Sequence, residues 1–318
     1  MNGPVDWFLA AQQGLFEAAV QPLMFSAGLG NLLEDGFHAT GWLLVGLLQL
    51  LAMVTVFSAL ERWRPVEAVT DRAAVRVDIV YTLVHRLGVF RVLLFFAIDP
   101  LWTALAAELR MVGWAGGSLD NLWPGVTDIA VVSFLLYLLL FDVVDYAMHR
   151  AQHRWHWWWQ LHALHHSQRQ MTMWSDNRNH LLDDLLRDSV FVLVALAVGI
   201  APGQFVALVA ATQLLESLSH ANVRTSFGPV LGRLFVSPRF HRLHHSIGVG
   251  HESAGPGSLG GHNFAVLFPV WDLIFGTARF DSVDQSTGIR DQLHGRDYGR
   301  GFWAQQWLGI KRLGGGGR

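Results

Sequence analysis

The sequence predicts an all-α integral membrane protein with about four transmembrane or re-entrant helices and a cytoplasmic helical cap that carries a histidine-rich dimetal site. Of its 318 residues, 52% are hydrophobic and only 15% are charged, whereas a soluble domain carries about 25% charged residues. The 14 tryptophans suit the boundary between bilayer and water. Thirteen of the 16 histidines lie between His149 and His262, and this concentration indicates a metal site.

Four apolar segments provide the predicted membrane helices. Residues 41–60 form a run of twenty residues without a charge, which matches the roughly 20 residues that a spanning helix needs. Residues 126–148 form a second apolar segment, with Asp128 near one end and Asp142 and Asp145 near the other. Residues 77–100 form a third, which basic side chains interrupt. Residues 189–219 are split by Pro202 into two stretches too short to span the bilayer. A re-entrant hairpin is therefore expected there.

The chain divides into three regions. Residues 1–125 are expected to hold an interfacial segment and the first two spans, residues 126–280 the histidine-bearing domain, and residues 281–318 a cytoplasmic tail with a disordered glycine-rich end. No Lys or Arg precedes Arg62, so no cleavable signal peptide is expected. Arginines are concentrated in the loops on the side of the histidines, which predicts a cytoplasmic site. The C-terminus carries no eukaryotic retention signal, which favours a bacterial inner membrane.

The histidines fall into three short clusters. They are His149 and His153, then His162, His165 and His166, and finally His241, His244 and His245. Residues three and four apart share one face of a helix, so each cluster directs its imidazoles toward one point. Imidazole suits iron, zinc and copper, and eight imidazoles exceed what one metal ion can use. The spacing therefore predicts a site for two metals.

Several other residues are candidates for the same site. His220 ends the predicted hairpin and shares a helical face with Glu216, so His220 is a predicted ligand and Glu216 an additional candidate. Asp142 and Asp145 are expected to accept hydrogen bonds from ligand imidazoles, with interfacial charges as the alternative. The remaining histidines are expected to have structural roles; they are His38, His85, His156, His251 and His294.

Further motifs extend the pattern from about residue 142 to residue 277. They are Asp142-x-x-x-Tyr146-x-x-His149, His165-His166-Ser167, Arg178-x-His180, His220-x-Asn222, Ser237-Pro238-x-x-His241-x-x-His244-His245, Asn263 and Trp271-Asp272-x-x-Phe275-Gly276-Thr277. Together these residues resemble the fatty acid hydroxylase / sterol desaturase superfamily, whose members are membrane-bound histidine-rich di-iron oxygenases. By this resemblance, residues 126–280 are a catalytic domain.

The resemblance implies an oxidoreductase that uses two iron ions and O₂ to hydroxylate or desaturate a membrane lipid such as an acyl chain or a sterol. Zinc can replace the iron on purification. The chain has no cysteine and no nucleotide-binding fingerprint, so the electrons are expected from a ferredoxin or a cytochrome b5-like donor. Two positions differ from the family. Glu216 stands where members have the first histidine of an HxxxH pair, and Leu181 follows His180 where many have proline. His180 and His262 are thus open as ligands, supporting residues or substrate contacts.

Other functions are consistent with fewer features of the sequence. A non-enzymatic metal-binding membrane protein or a metal transporter is the main alternative, although transporter sites usually lie at mid-bilayer. A b-type cytochrome would place single histidines within spans, and a zinc hydrolase would carry HExxH, which is absent from the sequence. The net charge of −2 gives no reason to expect nucleic-acid binding.

Overall fold

The computed structural model describes residues 3–114, 116–248, 250–253, 260–281 and 286–315, and this part of the chain is helical without a named strand. The helices of the first half are α1 Pro4–Leu15, α2 Gln21–Ser26, α3 Leu33–Ala52, α4 Ser58–Trp63, α5 Arg72–Arg86, α6 Val89–Ala97 and α7 Asp99–Met111. Those of the second half are α8 Ala130–Arg154, α9 His156–His166, α10 Leu181–Val198, α11 Pro202–His220, α12 Gly228–Leu234, α13 Pro238–His244, α14 Val270–Ile274 and α15 Phe302–Leu313.

Two helical segments are long and apolar enough to cross a membrane. They are Gly30–Trp63, which contains α3, a π-helical turn and α4, and Ala130–Arg154, which is α8. They contain most of the predicted spans 41–60 and 126–148. The pair α5 and α6 forms a third span if it is counted as one segment, although it bends by 53°. Gly88 lies at the bend with φ +78°, a conformation that favours glycine.

Two charged side chains of the bent pair, Arg86 and Arg91, turn toward the protein. Arg86 donates to the carboxylate of Asp176 at 3.0 Å and to the hydroxyl of Ser217 at 2.9 Å. The guanidinium of Arg91 lies 3.6 Å from the centre of the Trp42 ring. A charge that leaves water in a membrane body needs such partners. These contacts tie the first membrane helices to the second half of the chain.

Helices α10 and α11 form the predicted hairpin and pack on α8. Gly199 ends α10 with φ +62°, and Pro202 begins α11. Tyr137 and Phe141 of α8 form a buried apolar cluster with Leu208 of α11. The hairpin therefore returns the chain from the apolar layer to the level at which α8 ends.

Beyond the end of α8, short helices surround the histidines. Helix α9 turns back from α8 at Trp155, and α13 and α15 pack against α11 and α9, respectively. The predicted tail 281–318 contains α15, while its final residues 316–318 lie outside the described residues. The protein is thus an all-helical membrane protein whose non-spanning helices assemble the histidine-bearing layer.

Candidate metal centre

Four helices bring the predicted histidines into one buried layer. The last turns of α8, α9 and α11 each end in histidines, and α13 supplies the rest. Helix α13 is capped by Ser237, whose hydroxyl accepts from the Phe240 amide at 3.2 Å, and begins at Pro238. Both features are strong helix-start signals. All nine histidines predicted as ligands are buried.

The first group of imidazoles comprises His149, His153, His162 and His166, whose ligand atoms lie within 4.8 Å of one another. The Nδ1 atom of His149 is 2.8 Å from the carbonyl oxygen of Phe264. That of His153 is 2.7 Å from a carbonyl oxygen, and that of His162 is 3.1 Å from a carboxylate oxygen. Each Nδ1 must donate to such an acceptor, so the neutral ring keeps its lone pair on Nε2.

The Nε2 atoms of these three rings face one another without a hydrogen-bond partner. Those of His149, His153 and His162 are buried and unpaired among the described residues. A buried polar atom without a partner costs free energy, and three that converge imply a missing shared partner. A metal ion satisfies all of them at once.

The second group comprises His165, His220, His241 and His245. The Nε2 atom of His220 lies 3.1 Å from that of His165 and 3.0 Å from that of His241. The Nε2 atom of His241 lies 3.1 Å from that of His245. The Nδ1 of His220 donates to the carbonyl oxygen of Glu216 at 2.8 Å, so its Nε2 carries a lone pair. Four ring nitrogens at such separations are arranged as ligands around one point.

His244 and His166 lie between the two groups. With His245 they form a third set of mutually close ring nitrogens. The Nδ1 of His244 contacts the carbonyl oxygen of His262 at 2.5 Å, and its Nε2 has no partner among the described residues. The ring of His166 stacks on that of His245 at 4.3 Å. The groups are therefore adjacent and share one layer of imidazoles.

The protonation of the rings fits metal binding. Burial holds the pKa of the imidazoles on α9 and α13 well below their ordinary value, and neighbouring imidazoles lower it further. These rings are thus neutral at pH 7, which is the form that binds metals. The donor set of imidazoles with little carboxylate suits iron, zinc or copper. The residues therefore fit two metal ions.

Asp183 is a site residue that the sequence analysis missed. Its carboxylate accepts from His162, from the Gln152 amide at 2.7 Å and from the Trp158 indole at 2.6 Å. Asp183 lies in the first turn of α10, and two neighbouring aspartates at the start of an apolar helix were the available signal. A carboxylate behind a ligand imidazole fixes the ring and raises its basicity.

The other candidate carboxylates lie outside both groups. Asp145 forms an ion pair with Arg187 at 2.8 Å, and Glu216 lies 3.7 Å from the same guanidinium. Glu216 contacts the site through its main-chain carbonyl, which accepts from His220. Asp142 accepts from the Trp271 indole at 2.7 Å and from main-chain amides. Its contacts therefore hold the segment that carries the carbonyl of Phe264.

The remaining histidines take other positions. The Nε2 of His180 donates to the carbonyl of Gln306 at 2.8 Å, and its Nδ1 accepts from the Leu182 amide as the cap of α10. His262 contributes its carbonyl to His244. His251, expected to be structural, is fully buried with its ring 4.6 Å from that of His166, and its carbonyl accepts from His153. These residues contact the ligand rings or their helices, and none belongs to the two groups of four.

A cavity of about 280 Å³ lies between α5, α6, α8, α10 and α11. Part of its wall is apolar, with Phe141, Phe191, Phe205 and Leu208. The rest is charged: seven carboxylates line it against three guanidinium groups, namely Asp99, Asp142, Asp145, Asp176, Asp184, Asp188 and Glu216 against Arg86, Arg91 and Arg187. Such a cavity can accept a molecule with an apolar part and a polar end.

Comparisons with known proteins agree with this geometry. The model of the fatty acid hydroxylase family matches residues 134–277. The chain is 27% identical to ornithine lipid hydroxylase OlsE of Rhizobium tropici over 241 residues, which cover 75% of this chain and 68% of that protein. It is 32% identical to very-long-chain aldehyde decarbonylase GL1-1 of Oryza sativa subsp. indica over 46% of this chain and 23% of the relative.

A third relative is alkylglycerol monooxygenase of Caenorhabditis elegans, 26% identical over 48% of this chain and 28% of the relative. The chain thus spans about a quarter of the length of these last two proteins. No solved structure matches the chain. The matched segment runs from α8 to Thr277 and contains every histidine of the two groups, so this part of the chain matches a fatty acid hydroxylase domain.

Proposed function

We propose that the protein is a di-iron, O₂-dependent hydroxylase of a membrane lipid. The observation that carries the proposal is the pair of buried imidazole groups, in which ring nitrogens converge and lack other partners. The match of residues 134–277 to the fatty acid hydroxylase family model and the names of two relatives, a lipid hydroxylase and a monooxygenase, support it. We favour hydroxylation over desaturation because both names denote insertion of oxygen.

The protein's residues would hold and shape such a centre. His149, His153, His162 and His166 would hold one iron, and His165, His220, His241 and His245 the other, with His244 between them. When bound, the two irons would supply the reduction of O₂ and the transfer of one oxygen atom to a C–H bond. The chain keeps the imidazoles neutral, fixes the orientation of several rings and excludes bulk water from the layer.

The cavity suggests which lipid is oxidised. Acidic side chains outnumber guanidinium groups in its wall, and the carboxyl group of Glu216 lies 3.7 Å from the guanidinium of Arg187. Burial raises the pKa of Glu216 to about 8, and a nearby cation would favour its ionised form. An ammonium group would balance this excess, whereas a sterol or a hydrocarbon chain would leave it unpaired. The relative named for ornithine lipid suggests a substrate of this kind. We therefore propose an aminolipid that places its head group among the carboxylates.

The electrons and the location complete the proposal. No cysteine is present to hold an iron–sulfur cluster, so a separate ferredoxin or cytochrome b5-like protein is the proposed donor. We propose that the histidine layer lies on the cytoplasmic side of a bacterial inner membrane, and the arginine-rich loops support this orientation. An acidic donor could then dock on the basic loops of that face.

The test combines metal analysis with lipid analysis. Purified protein is expected to contain two irons per chain, or zinc in their place. Cells that make the protein together with an aminolipid are expected to contain that lipid with one additional oxygen atom on a head-group fragment. Cells with His165→Ala should lack the product, and cells with His294→Ala, a change at an exposed histidine, should retain it. Active protein with one metal or none would refute the di-iron proposal. An unchanged lipid pool with full metal content would favour metal binding or transport.

A further inference from the structure

Helix α15 exposes its apolar face and buries its polar face. A helix on the surface of a water-soluble protein does the opposite. Trp303, Trp307 and Ile310 are spaced four and three residues apart and therefore share one face. This face points outward, with exposed fractions of 78%, 57% and 45%, respectively. A water-facing helix would instead bury such side chains.

The buried face of α15 is polar and has partners within the protein. The amide nitrogen of Gln306 donates to the hydroxyl of Tyr81 and to the carbonyl of Asn179, both at 3.0 Å. The guanidinium of Arg312 donates to the carbonyl of Gln160 at 3.1 Å. Gly309 lies so close to the ring of His180 that a Cβ atom there would be 2.2 Å from it. These contacts fix which face of the helix points outward.

Helix α15 lies beside a helix of the bent pair. Phe302 packs on Tyr81 of α5, with ring centres 4.6 Å apart. Helix α5 belongs to the bent pair that is apolar enough to span the bilayer, and its side chains Val80 and Leu83, on either side of Tyr81, are also exposed. An apolar surface that extends from a span to a neighbouring helix lies in the same environment as the span.

The composition of the face matches the head-group layer. Two tryptophans are the side chains enriched at that depth, and Lys311 places its ammonium 5.5 Å from the centre of the Trp307 ring. A lysine beside an interfacial tryptophan can extend its charge toward lipid phosphates. Twelve residues of helix with a basic last turn suit an orientation in the plane of the interface.

We propose that α15 is an interfacial membrane anchor whose face Trp303, Trp307 and Ile310 is covered by phospholipid. The anchor is connected to the metal centre by two contacts. The carbonyl of Gln306 accepts from His180, and the ring of His180 in turn accepts from the first turn of α10. The same turn carries Asp183, whose carboxylate accepts from His162. Lipid contact at α15 therefore helps to set the position of a metal-ligand partner. The proposal concerns where the helix lies and is independent of the reaction catalysed.

The absence of cysteine allows a direct test by site-directed spin labelling. Trp303→Cys and Ile310→Cys variants of the full chain would be labelled in vesicles of phosphatidylethanolamine and phosphatidylglycerol. Asp297→Cys is the water-facing control. Asp297 is exposed and lies five residues before the first residue of α15. The measured quantity is the ratio of collision rates with dissolved oxygen and with a water-soluble nickel chelate. We expect a ratio several-fold higher at 303 and 310 than at 297.

Two other results would overturn the anchor. Equal ratios at all three positions would show that the face lies in water. Shielding of 303 and 310 from both oxygen and nickel would show that protein, such as a second copy or an electron donor, covers it. Ile310→Cys preserves both tryptophans, so that a folding defect of Trp303→Cys leaves an independent measurement. Membrane extraction and metal content of each variant show that the fold is retained.

Discussion

The two imidazole groups differ in how their rings are held. In the first group, three of four rings donate from Nδ1 to fixed acceptors, namely the carbonyls of Phe264 and His251 and the carboxylate of Asp183. In the second group His220 has such an acceptor, while the Nδ1 atoms of His165 and His241 have no partner among the described residues. The orientation of the imidazole rings is thus fixed by more hydrogen bonds in the first group than in the second.

The difference suggests a division of labour. Partners behind the ligands orient the rings before a metal arrives, which reduces the cost of binding. The second group is next to the cavity, since Glu216 both lines the cavity and accepts from His220. We therefore expect the first metal to be held more tightly and the second to adjust as substrate binds.

The largest expected effect comes from removing one ligand from either group. His153→Ala and His165→Ala should each lose one metal and reduce lipid turnover below detection, because the chemistry requires both ions. Metal content and product formation are the measurements, and membrane insertion should be unchanged. Turnover retained in either variant would contradict the assignment of that ligand.

The same pair of variants tests the comparison directly. The metal that His165→Ala retains belongs to the first group, and the metal that His153→Ala retains belongs to the second. A chelator titration should remove the latter at about tenfold lower chelator concentration, since two of its rings, His165 and His241, lack an acceptor at Nδ1 among the described residues. Equal sensitivity of the two variants would show that the hydrogen-bond partners do not differentiate the sites.

An intermediate effect is expected from Asp183→Asn. The change removes the negative charge behind His162 and should weaken metal binding by about 10–100-fold at the first group only. The measurement is a competition titration that resolves both metals, with Asp297→Asn at an exposed position as the control. A loss of affinity at both groups would indicate a general folding defect of α10.

The smallest effect is expected from Glu216→Gln. The main chain of Glu216, which fixes His220, is unchanged, so both metals should be retained. The carboxylate lines the cavity, and its neutralisation should raise KM for an aminolipid several-fold while kcat changes less. Kinetics with the lipid in vesicles provide the check. Loss of one metal would instead show that the carboxylate is a ligand.

The sequence was sufficient to predict the histidines but not their division into groups. Spacings of three and four residues on helices fix which side chains share a face, and the predicted rings do converge. His165 and His166 are neighbours in the sequence yet enter different groups, because consecutive helical residues diverge by about 100°. Which ring meets which partner depends on the packing of four helices.

The acceptors behind the rings were harder to foresee. Asp183 was separated from His162 by an irregular segment, and the carbonyls of His251 and Phe264 belong to the main chain, which has the same chemistry at every residue. The spans at 41–60 and 126–148 were predicted because a bilayer requires a minimum length of apolar helix. The reversed faces of α15 were missed, although the spacing of its tryptophans was visible in the sequence.

The carbonyls that fix the ligand rings have a consequence for protein engineering. Three of them, at His251, His262 and Phe264, come from the short stretch between α13 and α14. Their function depends on the path of the chain rather than on side chains, so a replacement at His262, whose side chain is half-buried, should leave its acceptor in place. Asn263, with φ +58° and a side chain bonded to the carbonyls of Phe240 and Arg279, is where tolerance should end. Side-chain variation at residue 262 could therefore change the surroundings of the centre while its ligands stay in place.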